Sequence, residues 1–420
     1  MTLPDSLTRA NLEFSRHYPG DSGRRQPVHT VYGGAHLFQA DLCRKMGAIA
    51  ERALTEFAPD AATLALAIGI PNHLADTVYE RVIEKLRREP VEDFRIDFED
   101  GYGNRPDAEE DATADAAAAE VLKGIAAGTL PPFLGIRIKC LSEELKGRGV
   151  RTLARFLNAL GQRVPDNFVI TLPKITVPEQ VSALLEALDQ LESSVKIEMM
   201  IETPQSIFML PKLVEAARGR CVAAHFGTYD YTASLGITAA HQHMLHPACD
   251  FARSTMQASL AGTGLWLSDG ATNIMPVGPH RGTTLSHQEI LQNRIVIHRA
   301  WKLHHDHIRH SLGNGFYQGW DLHPAQLPTR YATVYSFFLE DLDAASERLR
   351  NFVSKASQAT LAGDVFDDAA TGQGLLNYFL RAINCGAIPE ADAPELTGLT
   401  LEELRSASFV KILNGRRGSS

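Results

Sequence analysis

Two stretches, Val195-Lys-Ile-Glu-Met-Met-Ile-Glu202-Thr-Pro204 and Cys221-Val-Ala-Ala-His-Phe-Gly-Thr-Tyr-Asp230, each read as a buried β-strand with an acid at its end. A carboxylate at the end of a core strand is poorly solvated and costly unless a cation or hydrogen-bond donors meet it. Two such acids, one strand–helix unit apart, converge at the mouth of a parallel barrel, where that fold keeps its chemistry. Oxygen ligands in that number suit Mg²⁺ or Mn²⁺, since Mg²⁺ takes one or two protein carboxylates and leaves positions for water and substrate. The competing reading makes Glu202 and Asp230 structural, each paired with a neighbouring Arg or Lys.

Outward from these runs, short β-like segments recur at Thr63–Ile68, Phe94–Phe98, Phe133–Ile138, Phe168–Leu172, Val195–Ile201, Val222–Phe226, Leu265–Leu267 and Gln318–Leu322. Helix-like stretches separate them. Ala75–Arg88 carries Val78, Val82, Ile83 and Leu86 on one face, and Pro178–Leu191 carries Val181, Leu184, Leu185 and Leu188. Alternation of this kind predicts βα units and a parallel sheet, and eight strands favour a closed TIM (β/α)8 barrel. No G-x-G-x-x-G turn or phosphate loop follows a strand, so the nucleotide-binding open sheets lack their signature. The expected division is an amino-terminal extension over 1–60, a barrel over 61–340 and a helical carboxyl-terminal region over 341–420. The last residues, after Gly415, read as a disordered tail.

Composition narrows the function classes. A chain of 420 residues with 44% apolar and 22% charged residues is an ordinary globular protein. Its net charge of −9, without a basic stripe interleaved with aromatics, argues against nucleic acid as a partner. Five scattered cysteines show neither a C-x-x-C pair nor a disulfide rhythm, which points to reduced thiols and a cytoplasmic protein. The amino terminus does not read as a signal peptide, and no apolar run reaches the roughly 20 residues of a membrane span.

Further charged residues fall at strand ends. Asp97-Phe-Glu99-Asp100 puts three carboxylates in four positions, an arrangement that is costly unless cations or waters intervene; a helix cap and solvated turn is the plainer alternative. Arg137, in Gly-Ile-Arg-Ile-Lys, ends the third strand. Its guanidinium either pairs with those carboxylates or grips a substrate carboxylate with two parallel hydrogen bonds. Lys174, in Thr-Leu-Pro-Lys-Ile, holds the same relative position on the fourth strand. A Schiff base is one role for a buried lysine; a structural ion pair is the reading preferred here.

The ordered series Asp97-Phe-Glu-Asp, Ile-Arg137-Ile, Leu-Pro-Lys174, Ile-Glu202-Thr, Phe-Gly-Thr-Tyr-Asp230-Tyr-Thr-Ala-Ser-Leu-Gly and Leu-His323-Pro-Ala-Gln resembles the citrate lyase β-subunit and malyl-CoA lyase proteins of the HpcH/HpaI aldolase superfamily. The resemblance covers roughly residues 62–345. It implies a TIM barrel with Mg²⁺ held by Glu202 and Asp230. Arg137 would face an oxo or hydroxy acid, and Glu99 and Asp100 would organise waters and that arginine. Lys174 joins the substrate-binding set. Relatives break or form a carbon–carbon bond through an enolate, on a small oxo acid or a CoA thioester, and assemble as homo-oligomers, trimers or hexamers.

There are departures. Relatives follow their first strand with Pro-Gly and an Arg-Pro pair, whereas here Gly69-Ile-Pro-Asn-His lacks the arginine, which favours a free acid over a CoA thioester. His304, His307 and His310 share a helical face, and His241, His243 and His246 cluster after Asp230; a polar face is preferred over a second metal for both. His323 reads equally as structural or site-facing. Asp367 and Asp368 fall in the segment where relatives carry a proton donor, with a helix cap as the preferred use. The leading function is a Mg²⁺-dependent carbon–carbon lyase or aldolase. The alternatives are a thioester hydrolase on the same scaffold and a non-catalytic metal- and oxo-acid-binding regulator.

Overall fold

The computed structural model describes residues 4–282, 284–356 and 369–418. Eight parallel strands close in sequence order into a barrel: β1 (His29–Gly34), β2 (Asp93–Asp97), β3 (Phe133–Arg137), β4 (Phe168–Leu172), β5 (Lys196–Ile201), β6 (Cys221–Phe226), β7 (Trp266–Ala271) and β8 (Gln318–Asp321). Helices flank the barrel, and the described residues from Leu342 on are mainly helical. The expected (β/α)8 architecture is therefore present. Seven of the eight expected strands are there; the first is elsewhere.

Thr63–Ile68 is helical, within the helix Ala61–Ile68. A short continuous apolar run is compatible with either state, so periodicity could not separate them. The ends decide it. Asp60 caps the first turn by accepting from Thr63 N at 2.7 Å, and Gly69, at φ +91°, stops the helix in the left-handed region. Leu64 and Ile68 are buried while Leu66 is 87% exposed, a spacing of four and not of two.

The true first strand, His-Thr-Val-Tyr-Gly-Gly, lies inside the segment assigned to an amino-terminal extension, which corrects the boundary at residue 61. Its two glycines hid it. Gly33 is needed because a Cβ there would sit 2.6 Å from the Phe94 ring. The departure read at Gly69 consequently does not describe the first strand's mouth; Ala35-His-Leu-Phe follows β1, again without an arginine. The expected disordered tail is helical through Gly418, and only Ser419 and Ser420 lie outside the described residues.

The barrel interior is ionic. Side chains two apart on a strand share a face, so Asp93, Arg95 and Asp97 of β2 all point inward. Arg95 pairs with Asp93, lies 3.2 Å from Glu198 and donates to Thr171 at 3.1 Å. Tyr32 and Thr171 donate to Glu198 at 3.1 and 2.8 Å. All of these except Tyr32 are fully buried. Because each charge has a counter-charge and donors, the interior avoids the cost of isolated buried ions. All five cysteines are buried and unpaired, and among the described residues no helix is long and apolar enough to cross a membrane.

Candidate active site

Strand ends and the turns just past them deliver most of the charged groups to the carboxyl-terminal mouth, whereas Asp230, read from sequence as a strand-end acid, comes from the first turn of the helix Thr228–Ser234 that follows β6. On β5, Glu198, Met200 and Glu202 follow each other at intervals of two; on β2, Asp97 is followed by Glu99. Glu99, Asp100, Arg137, Lys174, Glu202 and Asp230 come together there. Arg137 is buried, and its fork is occupied: Nε and Nη2 donate to Asp97 at 2.7 and 2.5 Å. Nη1 remains, 3.3 Å from Glu99 and 3.8 Å from Asp100. The guanidinium lies over the Tyr32 and Trp320 rings, 4.8 and 5.7 Å from their centroids. The bidentate grip on a substrate carboxylate, one of the two sequence readings, is therefore taken by Asp97.

Asp97 also accepts from the backbone N–H groups of Glu99 at 3.0 Å and Gly101 at 2.7 Å, which fixes the turn that carries Glu99 and Asp100. Gly101 has no room for a side chain, since a Cβ would lie 2.6 Å from Asp97 Oδ2. Lys174 closes the ring from the opposite side. Its ammonium pairs with Glu99, donates to Asp100 at 3.0 Å and lies 3.6 Å from Asp230. Lys174 adopts φ +51°, a left-handed conformation costly for a residue with a Cβ. That conformation directs its backbone N–H onto Glu202 Oε1 at 2.7 Å.

Glu202 is buried, whereas the Asp230 side chain is 42% exposed. Burial, reinforced by the charge of Asp230, pushes the Glu202 carboxyl up to about 8. Glu99 and Asp100 split in opposite directions. Burial raises Glu99 despite Arg137 and Lys174; in Asp100 the burial effect is outweighed by the same two cations, and its pKa falls. Lys174 is lowered by burial but raised more by Glu202, Glu99 and Asp230, so it stays charged.

Glu202 and Asp230 are oxygen donors whose mutual repulsion a divalent cation would relieve, so the residues present fit Mg²⁺ or Mn²⁺ with substrate and water completing the shell. Among the described residues no three His, Cys, Asp or Glu side chains form a ready cage, and two carboxylates are what a water-rich Mg²⁺ site uses.

The histidines separate. His304 lies 3.0 Å from Asp321 and shares Thr272 with His307, while His310 meets Asp250 at 2.8 Å. His246 caps a helix by accepting from Ala248 N, and His323 does the same for Ala325 N, both at 3.1 Å. Asp367 and Asp368 lie outside the described residues. Tyr32 and Trp320, whose rings pack against each other under the site's arginine with His225 beside them, were not singled out from sequence. Trp320 stands at an inward position of a strand the sequence did show, while Tyr32 lies on the strand it missed.

The sequence matches the family described as domain of unknown function (DUF6986) over residues 7–412. No curated protein matches it. Among solved structures, a citrate lyase from Burkholderia xenovorans LB400 superposes with a TM-score of 0.54 at 18% identity, covering 88% of this chain and 96% of that one. The protein CitE from Mycobacterium tuberculosis, in complex with magnesium, acetoacetate and coenzyme A, gives 0.49 at 16% identity, covering 87% and 99%. The fold is thus the citrate lyase-like barrel that the motif series resembles, and the chain belongs to the DUF6986 family.

Proposed function

We propose that the chain is a Mg²⁺- or Mn²⁺-dependent carbon–carbon lyase or aldolase acting on a small oxo acid or its hydroxy-acid adduct. The observation that carries this reading is the convergence at the barrel mouth of the buried Glu202 and the half-exposed Asp230 with Arg137 and Lys174 around them. When bound, the metal would act as a Lewis acid on the oxo acid's carbonyl and carboxylate oxygens.

The chain's own groups supply the rest. Arg137, pinned by Asp97, offers Nη1 as a fixed donor to a developing oxyanion, and a preorganised donor needs no reorganisation during reaction. Glu99 and Asp100, the first raised in pKa by burial and the second lowered by Arg137 and Lys174, are the pair placed for proton transfer. Lys174 keeps both in place and orients Glu202 through its backbone N–H. Tyr32 and Trp320 wall the arginine off from water. A homo-oligomeric, cytoplasmic enzyme fits this reading.

The test asks only for enolisation. With Mg²⁺ in D₂O, the methyl protons of pyruvate should exchange, and Glu202→Gln should abolish the exchange. No exchange with pyruvate, together with no cleavage across a panel of hydroxy acids and their thioesters, would refute the enzyme reading in favour of a binding protein.

A further inference from the structure

We propose that the amino-terminal face of the barrel carries a second small-molecule site, for a phosphorylated organic anion. A cavity of about 900 Å³ opens there between residues 22–25, the helix Ala75–Arg88, the segment 383–390 and the helix Leu401–Arg405. Arg24 and Arg25 precede β1, and Glu89 precedes β2. The cavity therefore lies at the starts of the strands, separated from the carboxylate mouth by the strands' own length, roughly 16 Å.

Six cationic side chains line it: Arg24, Arg25, Arg81, Lys85, Arg88 and Arg405. Four have carboxylate partners. Arg25 and Lys85 share Glu89 and Glu92, Arg88 meets Glu84, and Arg405 meets Glu390. Arg24 and Arg81 have none among the described residues. Arg81 donates to the Ala387 carbonyl, and Arg24 lies over the Trp266 ring at 5.4 Å.

Against four carboxylates the six cations leave an excess of two, on a chain whose net charge is −9. A phosphate monoester carries about −1.5 to −2 at neutral pH and offers three acceptor oxygens. Guanidinium forks match that geometry. Leu380, Ile383, Ile388 and Leu404 add an apolar stretch of wall, so the ligand has a carbon body as well as a charged head. The volume lies within the range of small-molecule sites. Because the cavity joins the barrel to the helical carboxyl-terminal region, its ligand would stabilise that junction by mass action.

The test uses the full chain and phenyl phosphate, read by calorimetric titration. Saturable one-to-one binding is expected. It should be tighter than that of inorganic phosphate, which leaves the apolar wall unused, and at least tenfold weaker in an Arg24→Gln, Arg81→Gln double variant. Arg24→Gln alone gives up no hydrogen bond to the protein, so it reports on the site even if Arg81→Gln disturbs folding. Arg9→Gln, on the exposed amino-terminal helix, controls for net charge and should bind as the parent does. Absence of saturable binding, unchanged affinity in Arg24→Gln and the double variant, or equal weakening by Arg9→Gln would each overturn the proposal.

Discussion

Gly227→Ala is the substitution that most directly asks whether Glu202 is a metal ligand. A Cβ at residue 227 would lie 2.5 Å from Glu202 Cβ and 3.2 Å from its Cδ. Carbon atoms pack at about 3.5–4.0 Å, so one of the two must move by roughly 1 Å. Glu202 Cβ is fixed by its own backbone, and Gly227 follows β6 directly with its N–H held by Ile201 O at 3.1 Å, so the ends of β5 and β6 must part at the mouth and carry the Glu202 carboxyl with them. A misplacement of about 1 Å at a reacting centre costs on the order of 10²-fold, which is about 2.7 kcal/mol. Mn²⁺ titration followed by electron paramagnetic resonance should show affinity falling by that order, with the barrel's circular dichroism retained. Gly147→Ala, at a helical glycine with nothing within 4 Å of its Cβ, should leave affinity unchanged and stabilise by about 0.5–1 kcal/mol. Parent-like Mn²⁺ affinity in a folded Gly227→Ala chain would refute the assignment of Glu202.

The remaining expectations concern charge. Glu202 titrates near 8 in the folded metal-free chain, above the unfolded value of about 4.3, so the folded state holds the proton more tightly. Metal-free stability should therefore fall as pH rises from about 5 to 8, and the stabilisation added by Mg²⁺ should grow over the same window; thermal melts with and without Mg²⁺ check this, and a pH-independent increment would contradict it. Lys174→Met removes the ammonium lying among Glu99, Asp100 and Asp230 and should tighten Mn²⁺ binding by on the order of tenfold while lowering turnover; unchanged or weaker binding would show that Lys174 does not compete for that field. Asp97→Asn leaves Arg137 buried against a neutral partner and should cost about 3–5 kcal/mol in urea unfolding, whereas a loss below about 1 kcal/mol would mean that Glu99 alone compensates the guanidinium.

Seven strands and most of the charged residues at the mouth were legible in the sequence because they share one local signature, an apolar run with a charge at or just past its end; Asp230 was legible only as a charge, since it opens the helix Thr228–Ser234. That signature follows from the pleat: residues two apart share a face, so a run such as Lys196–Ile201 carries Glu202 to the mouth wherever its partner strands lie. The helix Ala61–Ile68 and strand β1 were not legible, since the first is apolar without a clear period and the second owes its glycine pair to the Phe94 ring and the Gly101 backbone. Those neighbours are more than 50 residues away along the chain.

What the sequence by itself determined is which residues end strands, and hence the barrel class and the acids, arginine and lysine that reach its mouth. What only the tertiary structure decided is how those charges divide among themselves. Asp97 takes the fork of Arg137, Lys174 bridges Glu99, Asp100 and Asp230, and Glu202 is left beside Asp230 with the Lys174 backbone N–H on one oxygen. Pairing of this kind depends on distances across a closed barrel, fixed by registers between strands such as Asp97 with Arg137. Local sequence carries the charge of each residue but not the partner that the barrel's closure sets against it.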